Sequence, residues 1–254
     1  MKLSKLSLIF SVALLLMVAI NGAISLLVLD AFDRAQAVQD ERVEALRLVG
    51  ELRHEMDILA RLVRSYVVTR ETRYLTYYYA ILAIREGEKP AIANGSAVRY
   101  WDRVIAGETE FEPPLEGARV SMRSRMVRLG FQGAELAALE EVLAEADALK
   151  QIEQVAFAAT QGLYDPLTRT FVSDGQPHPQ LAVSLVHGLD YDRQHARVAV
   201  AVARLLEQVD LRTGRQVDEA RRHLRNWIIA VISGMAGGAL LVLFGLRTTR
   251  SQVL

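Results

Sequence analysis

Two stretches of the chain are apolar for long enough to cross a bilayer. Residues 227–246, WIIAVISGMAGGALLVLFGL, hold no charge at all, and a helix of about 20 such residues matches a hydrocarbon core roughly 30 Å thick. Residues 6–29 form a second apolar run near the N-terminus. Lys2 and Lys5 before it would also suit a signal peptide, but the run exceeds the roughly 7–15 apolar residues of such a peptide, so an uncleaved anchor is expected. Residues 30–226 then lie between two membrane crossings. Lys2 and Lys5 at one end, with Arg247 and Arg250 at the other, put residues 1–5 and 247–254 in the cytoplasm by the positive-inside rule. Arg221, Arg222 and Arg225 pull the other way, with Asp218 and Glu219 beside them.

Between the spans the pattern is helical. Residues 30–69 contain no proline and one glycine, Gly50. Val49, Leu52, Met56, Leu59, Val63 and Tyr66 are spaced three, four, three, four, three, a heptad seam on one face, while Arg47, Glu51, Arg53, Arg61 and Arg64 fall mostly off it. One long helix should therefore leave the first span. After a break near Thr72, the tyrosine-rich stretch from Tyr74 predicts a shorter helix that ends between Gly87 and Pro90, since proline cannot continue a helix. Residues 91–117 carry Gly95, Gly107, Pro113 and Pro114 around a short apolar-aromatic piece, and read as loop with a helical turn or two.

Residues 118–129 allow a short helix stopped by Gly130. A stronger helix follows from Ala134 to Gln161. Leu136, Leu139, Leu143 and Ala146 hold one seam there, and Leu149, Ile152, Ala156, Ala159 and Leu163 a second one, displaced by a three-residue discontinuity. Residues 162–180, with two glycines and three prolines, read as a connection. The last helix should start near Asp190, an N-cap after Gly188, and run through Val198, Val202, Leu205 and Val209. Its seam turns polar at Arg212 and Gly214, then resumes as Val217, Ala220, Leu224 and Trp227 and enters the membrane without a breaker. The pattern predicts an all-α membrane protein, with two transmembrane helices and an elongated extracytoplasmic helical bundle.

Composition narrows the chemistry. Lys and Arg number 30 and Asp and Glu 30, so no basic surface for nucleic acid is expected. The absence of cysteine excludes disulfides, thiolate metal sites and a cysteine nucleophile. His178, His187 and His195 show no metal-ligand spacing, and no GxSxG or Gly-rich phosphate loop occurs. No metal, cofactor or enzymatic activity is therefore expected of this chain.

Three groups of residues stand out. Tyr74, Tyr77 and Tyr78 with Arg64, Arg73 and Arg85 fit a pocket for a small anionic or aromatic ligand, because guanidinium binds carboxylate bidentately and tyrosine offers a face and a hydroxyl. The plainer reading is that the tyrosines form the core between helices, with hydroxyls at its rim. Tyr100 and Trp101 carry the same two readings. Ser233, Gly234, Gly237 and Gly238 form overlapping small-xxx-small pairs on the second span, a face for close packing against the first span or against its copy in a homodimer. Such a smooth face also suits a helix that slides or rotates. Arg212 and Gly214, where the seam is interrupted, are a candidate place for two alternative packings.

Two spans enclosing a helical bundle, with a long helix feeding the second span, resemble the N-terminal sensor half of bacterial transmembrane receptors: chemoreceptors, sensor histidine kinases and membrane-bound nucleotide cyclases. The resemblance is carried by LVRSYVVTRETRYLTYYYAILAIREGEKP (62–90), LGFQGAELAALEEVLAEADALKQIE (129–153) and LVHGLDYDRQHARVAVAV (185–202). Within the first piece, residues 64–69 are similar to the R-G-Y-L-L-T-G-D stretch of CHASE3-type sensors, with Arg70 and Glu71 in place of its Gly-Asp. LRTTRSQVL (246–254) is similar to the run that leads into a HAMP linker. The resemblance implies a bacterial cell-membrane receptor whose residues 30–226 sense a small-molecule or protein ligand, and whose output module lies beyond residue 254. The competing expectation is a structural or assembly protein whose bundle binds a partner and transmits nothing.

Overall fold

The computed structural model describes residues 2–92, 97–113 and 115–251. Gly95 and Pro114 of the expected loop, and the end of the expected cytoplasmic stretch 247–254, lie outside the described residues. The protein is all-α. Its helices are α1 (Lys2–Thr69), α2 (Thr72–Glu86), α3 (Ala97–Ala106), α4 (Met122–Arg128), α5 (Ala134–Gln161), α6 (Pro179–Val186) and α7 (Leu189–Ser251), with one small hairpin, β1 (Tyr164–Asp165) and β2 (Thr170–Phe171).

The breaks follow local chemistry. α1 ends where Arg70 turns to φ 61°, its N–H still bonded to the Tyr66 carbonyl at 2.7 Å, and the extended Glu71 then opens α2. α2 stops at Gly87, φ 79°, whose N–H reaches the Ala83 and Ile84 carbonyls. A Cβ there would sit 2.6 Å from the Ser121 nitrogen, so glycine is needed for packing as well as for its left-handed backbone. Ser121 caps α4 by accepting from the Ser124 N–H at 3.1 Å.

The chain divides into two compact units, residues 43–211 and residues 1–42 with 212–254. In the first, a single hydrophobic cluster joins side chains of α1 to α7, including Leu52, Val63, Ile81, Val104, Met126, Leu139, Val186 and Leu205. The α1 seam read from the sequence is buried from Val49 to Tyr66. Glu51, buried on the same helix, is held by Arg47 and by Arg125 of α4, the latter at 3.0 Å.

Three features of this unit differ from the sequence reading. α3 is a ten-residue helix rather than a turn or two. The connection 162–180 contains the hairpin, and α6 follows it. The discontinuity expected in α5 is absent: Glu135, Leu139, Val142, Ala146, Leu149, Glu153, Ala156 and Thr160 are all buried, at alternating spacings of four and three. The seam looked broken because Leu136, Leu143 and Ile152, apolar but only half-buried, stand beside the residues that hold it, Glu135, Val142 and Glu153. The connection itself is lashed to the end of α5. Leu163 N–H bonds to the Ala158 carbonyl at 2.7 Å, Val172 N–H to Leu163 at 3.0 Å and His178 N–H to Ala159 at 2.7 Å. Gly162, φ 79°, lies so close to Gly175 that a Cβ would come within 2.5 Å of its carbonyl oxygen.

In the second unit, α1 and α7 supply helices long and apolar enough to cross a membrane, and the most apolar stretch of each is not buried inside the protein. Leu14, Met17, Asn21, Ile24, Val28 and Ala31 form the partly buried or buried line of α1, again at heptad spacing, while Leu15, Leu16, Val18, Leu26 and Leu29 point outward. Small residues of α7 meet that line. A Cβ on Gly234 would touch Asn21, one on Gly237 or Gly238 would touch Met17, and one on Gly245 would enter the Phe10 ring. Farther along, Thr213 and Val217 are buried, so the inward line of α7 passes between Arg212 and Gly214 through Thr213. Leu205, Val209, Thr213 and Val217 are spaced four, four, four, a stutter that locally unwinds a helix pair.

Leu52, with no exposed surface, should be worth about 2–5 kcal/mol in a Leu52→Ala substitution. Val43→Ala, at an exposed position, should change stability by less than about 0.5 kcal/mol. Chemical denaturation of the full chain in detergent, monitored by circular dichroism, compares the two.

Candidate functional site

The polar members of the buried seams build the site. Glu153 of α5 is 3% exposed, and a carboxylate in such a place needs donors. It has two. The Tyr78 hydroxyl of α2 donates to one oxygen at 2.6 Å and the Tyr191 hydroxyl of α7 to the other at 2.8 Å. Phe157, one turn along α5, stacks edge-on against Tyr78 with ring centres 5.0 Å apart and against Tyr66 at 5.4 Å. Burial pushes the Glu153 carboxyl above its ordinary pKa, and the two hydroxyl donors, then Arg85 and Arg64, hold it back. Burial, followed by the charge of Glu153, drives both phenols well above the usual tyrosine range.

Arg85 of α2 is buried beside this centre, its guanidinium 3.6 Å from the Met56 sulfur. Its charge acts through space on Glu153 and on Glu55 of α1. Glu55 carries one carboxyl oxygen that is buried without a hydrogen-bond partner. Burial first, then Glu51, pushes its pKa up to about 7, against the lowering by Arg85 and Arg125.

Arg64 connects this interior to the surface. Its guanidinium lies over the Tyr191 ring at 5.1 Å, its Nε donates to the Val186 carbonyl at 3.1 Å, and Nη2 pairs with Asp192 at 2.9 Å. One side chain of α1 thus ties the end of α6 to the first turn of α7. On its outer side opens a groove of about 550 Å³ lined by Arg61, Arg64, His187, His195, Asp57 and Val68, among others. Asp57 lies 3.6 Å from His195, and Arg61 3.6 Å from Asp102 of α3. Asp57, Arg61 and Asp102 are exposed, so a small anion can replace the carboxylates at little cost, and guanidinium offers it a bidentate fork.

Of the six residues singled out for a ligand site, the fold brings three together: Arg64, Tyr78 and Arg85 all surround Glu153. Tyr77 instead joins an aromatic cluster, 5.4 Å from Phe111 and 6.1 Å from Trp101. Arg73 is exposed at the start of α2, where it donates to the hydroxyl of Tyr74 at 2.8 Å and pairs with Glu71 at 2.6 Å, while Tyr74 is half-buried against the edge of the core. In the other unit, Gly234, Gly237 and Gly238 face α1, whereas Ser233 is exposed. Arg212 is bonded to Glu41 and Gln216, each at 3.1 Å, and Gly214 lies beside Arg42.

Sequence reasoning missed Glu153, Tyr191 and Glu55. Glu153 was within reach: it falls four residues after Leu149 and three before Ala156, on the seam itself. No known family, curated protein or solved structure matches this chain. Its functional reading therefore rests on the residues and their geometry.

Two measurements probe the buried charges. In the folded state Glu55 keeps its proton up to about pH 7, whereas the unfolded chain releases it near the ordinary 4.5. Stability should therefore fall as pH rises through that window and level off above it. Glu55→Gln should remove this slope, leaving the variant more stable than the wild type at pH 8 by something on the order of 2 kcal/mol. Tyr191→Phe leaves Glu153 with one donor and should cost about 1–3 kcal/mol. Denaturation midpoints at pH 5 and pH 8 read both effects.

Proposed function

We propose that this chain receives a signal outside the cytoplasm and passes it inward through its second membrane span. The observation that carries the reading is the length of two helices. α1 and α7 run unbroken over Lys2–Thr69 and Leu189–Ser251, so each contains residues of the hydrophobic core as well as an apolar segment fit to cross a bilayer. A change in how the core packs has a direct covalent route to the span. In this reading residues 30–226 form an extracytoplasmic helical bundle, both termini are cytoplasmic beside Lys2, Lys5, Arg247 and Arg250, and the receptor is a homodimer in a bacterial cell membrane.

The signal would be a small anion taken by the groove beside Arg64. Engaging that guanidinium draws it from Asp192 and from the Tyr191 face, which loosens the contact between α1 and the start of α7 and shifts the hold of Tyr191 on Glu153. A bound ligand favours whichever packing it contacts better. The likeness to receptor sensor halves supports the same reading, and a cytoplasmic output module would be its partner. The chain acts as a receptor in this scheme and performs no chemistry of its own.

Two tests bear on it. Membrane-impermeant maleimide applied to intact cells should label Ser173→Cys and leave Arg247→Cys unlabelled; the reverse pattern would overturn the topology. For reception, the purified full chain in detergent is melted with succinate or inorganic phosphate as probes. A saturable rise in melting temperature, lost in Arg64→Ala, is expected by mass action. A flat response to small anions, with capture of a neighbouring membrane protein, would favour the assembly role instead.

A further inference from the structure

Among the described residues from Leu14 to Ala31, Asn21 is the one polar side chain on the line that α1 turns toward α7, between Met17 and Ile24. Its amide nitrogen donates within its own helix, to the Met17 carbonyl at 3.1 Å. Its carbonyl oxygen Oδ1 is buried and has no hydrogen-bond donor. The oxygen is aimed at Gly234, where a Cβ would lie 2.5 Å from it. A backbone Cα–H is a weak substitute for an N–H or O–H, and in hydrocarbon an unmet acceptor costs several times more than in water.

The missing donor is one residue away. Ser233, beside Gly234 on α7, is exposed and its hydroxyl makes no hydrogen bond to another described residue. A turn of α7 by about 100°, one residue of an α-helix, would carry Ser233 to the place Gly234 now holds. At the level of Asn21 the face that arrives is small, because Ala230, Ser233 and Gly237 line it and Gly237 belongs to both; nearer the end of α7 the turn brings Phe244 to the place of Gly245, so Phe10 has to swing aside there. Small side chains let one helix turn against another at close distance. The four-four-four spacing from Leu205 to Val217 supplies a locally unwound stretch in which such a twist can be absorbed.

We propose that the contact of Asn21 with Gly234 is one of two packings of the spans, and that turning α7 hands Asn21 over to Ser233, whose O–H then donates to Asn21 Oδ1. The inference rests on both helices being membrane spans. It adds the device by which a rotation, rather than a shift along the axis, is held at two positions. Gly234 permits the first packing and Ser233 stabilises the second.

The test uses paired cysteines in the full chain, which has none of its own, in native membranes. Met17→Cys with Gly238→Cys reports the observed packing, since a Cβ at Gly238 lies 3.1 Å from the Met17 methyl. Met17→Cys with Ala236→Cys reports the turned one. Both pairs should crosslink within one chain. Ser233→Ala should reduce the Ala236 crosslink about fivefold, the worth of one interhelical hydrogen bond in a membrane, and leave the Gly238 crosslink intact. Gly234→Ala should do the opposite, and Asn21→Val should erase the influence of Ser233.

An Ala236 pair that never crosslinks, or that crosslinks equally in Ser233→Ala, would overturn the two-position device. Crosslinks of doubled mass that depend on Asn21 would overturn it too, by assigning that side chain to a second copy. Extraction of the chain from membranes by carbonate would overturn the membrane reading itself, and so separates that failure from failure of the device.

Discussion

A carboxylate inside a helical core has to be met from several directions at once, and Glu153 imposes that requirement on this fold. Its two oxygens are claimed by phenols from different helices, α2 and α7, which fixes how both face α5. A phenol too far by 1 Å would leave a buried oxygen unmet, a loss comparable to a sizeable part of a domain's net stability. Apolar packing alone tolerates small rotations and slides. The hydrogen-bonded carboxylate does not, so α2, α5 and α7 have a defined register at this level. Phe157 and Tyr66 then close around the phenols, and Arg85 supplies the compensating charge from behind.

The same demand reaches the surface through Arg64. Tyr191 is gripped on its hydroxyl by Glu153 and on its face by the Arg64 guanidinium, so the occupancy of an outer groove and the satisfaction of an inner charge involve one aromatic ring. The arrangement resembles a lever with its pivot in the core. A strictly apolar core would spread any disturbance over many weak contacts. Here a disturbance is concentrated on a few strong, directional ones, which favours discrete alternatives over gradual deformation.

Most of the helical layout was legible in the chain because breakers stand where helices stop: Gly87 and Gly162 with left-handed backbones, Ser121 as a cap, and a heptad of apolar residues along α1. The candidate site was legible only in half. Arg64, Tyr78 and Arg85 stood out as residue types, but their common partner did not, because a seam search that counts only apolar residues takes half-buried Ile152 in place of Glu153, and with Leu143 in place of Val142 it yields a false discontinuity in α5. Tyr191 sat too close to an expected helix start to look like core. α6 and the hairpin escaped for a different reason. They lie among prolines and glycines, where local signals suggest irregular backbone and only tertiary hydrogen bonds such as His178 to Ala159 reveal order. Arg73 and Tyr74 show the converse, a suggestive pair whose polar ends satisfy one another at the edge of the core.

The lashing of residues 162–180 to the end of α5 separates the two ends of that connection from its tip. Backbone bonds at Leu163, Val172 and His178 hold the base, and Gly162 and Gly175 are pressed together there. Leu167, by contrast, is almost wholly exposed, on a turn closed only by short-range bonds to Asp165 and between the Thr168 and Thr170 hydroxyls. Because closing a loop grows costly only with the logarithm of its length, extra residues at the tip would leave the base undisturbed. The hairpin is therefore where this chain can gain or lose length across generations, or accept a grafted peptide, without any helix having to move.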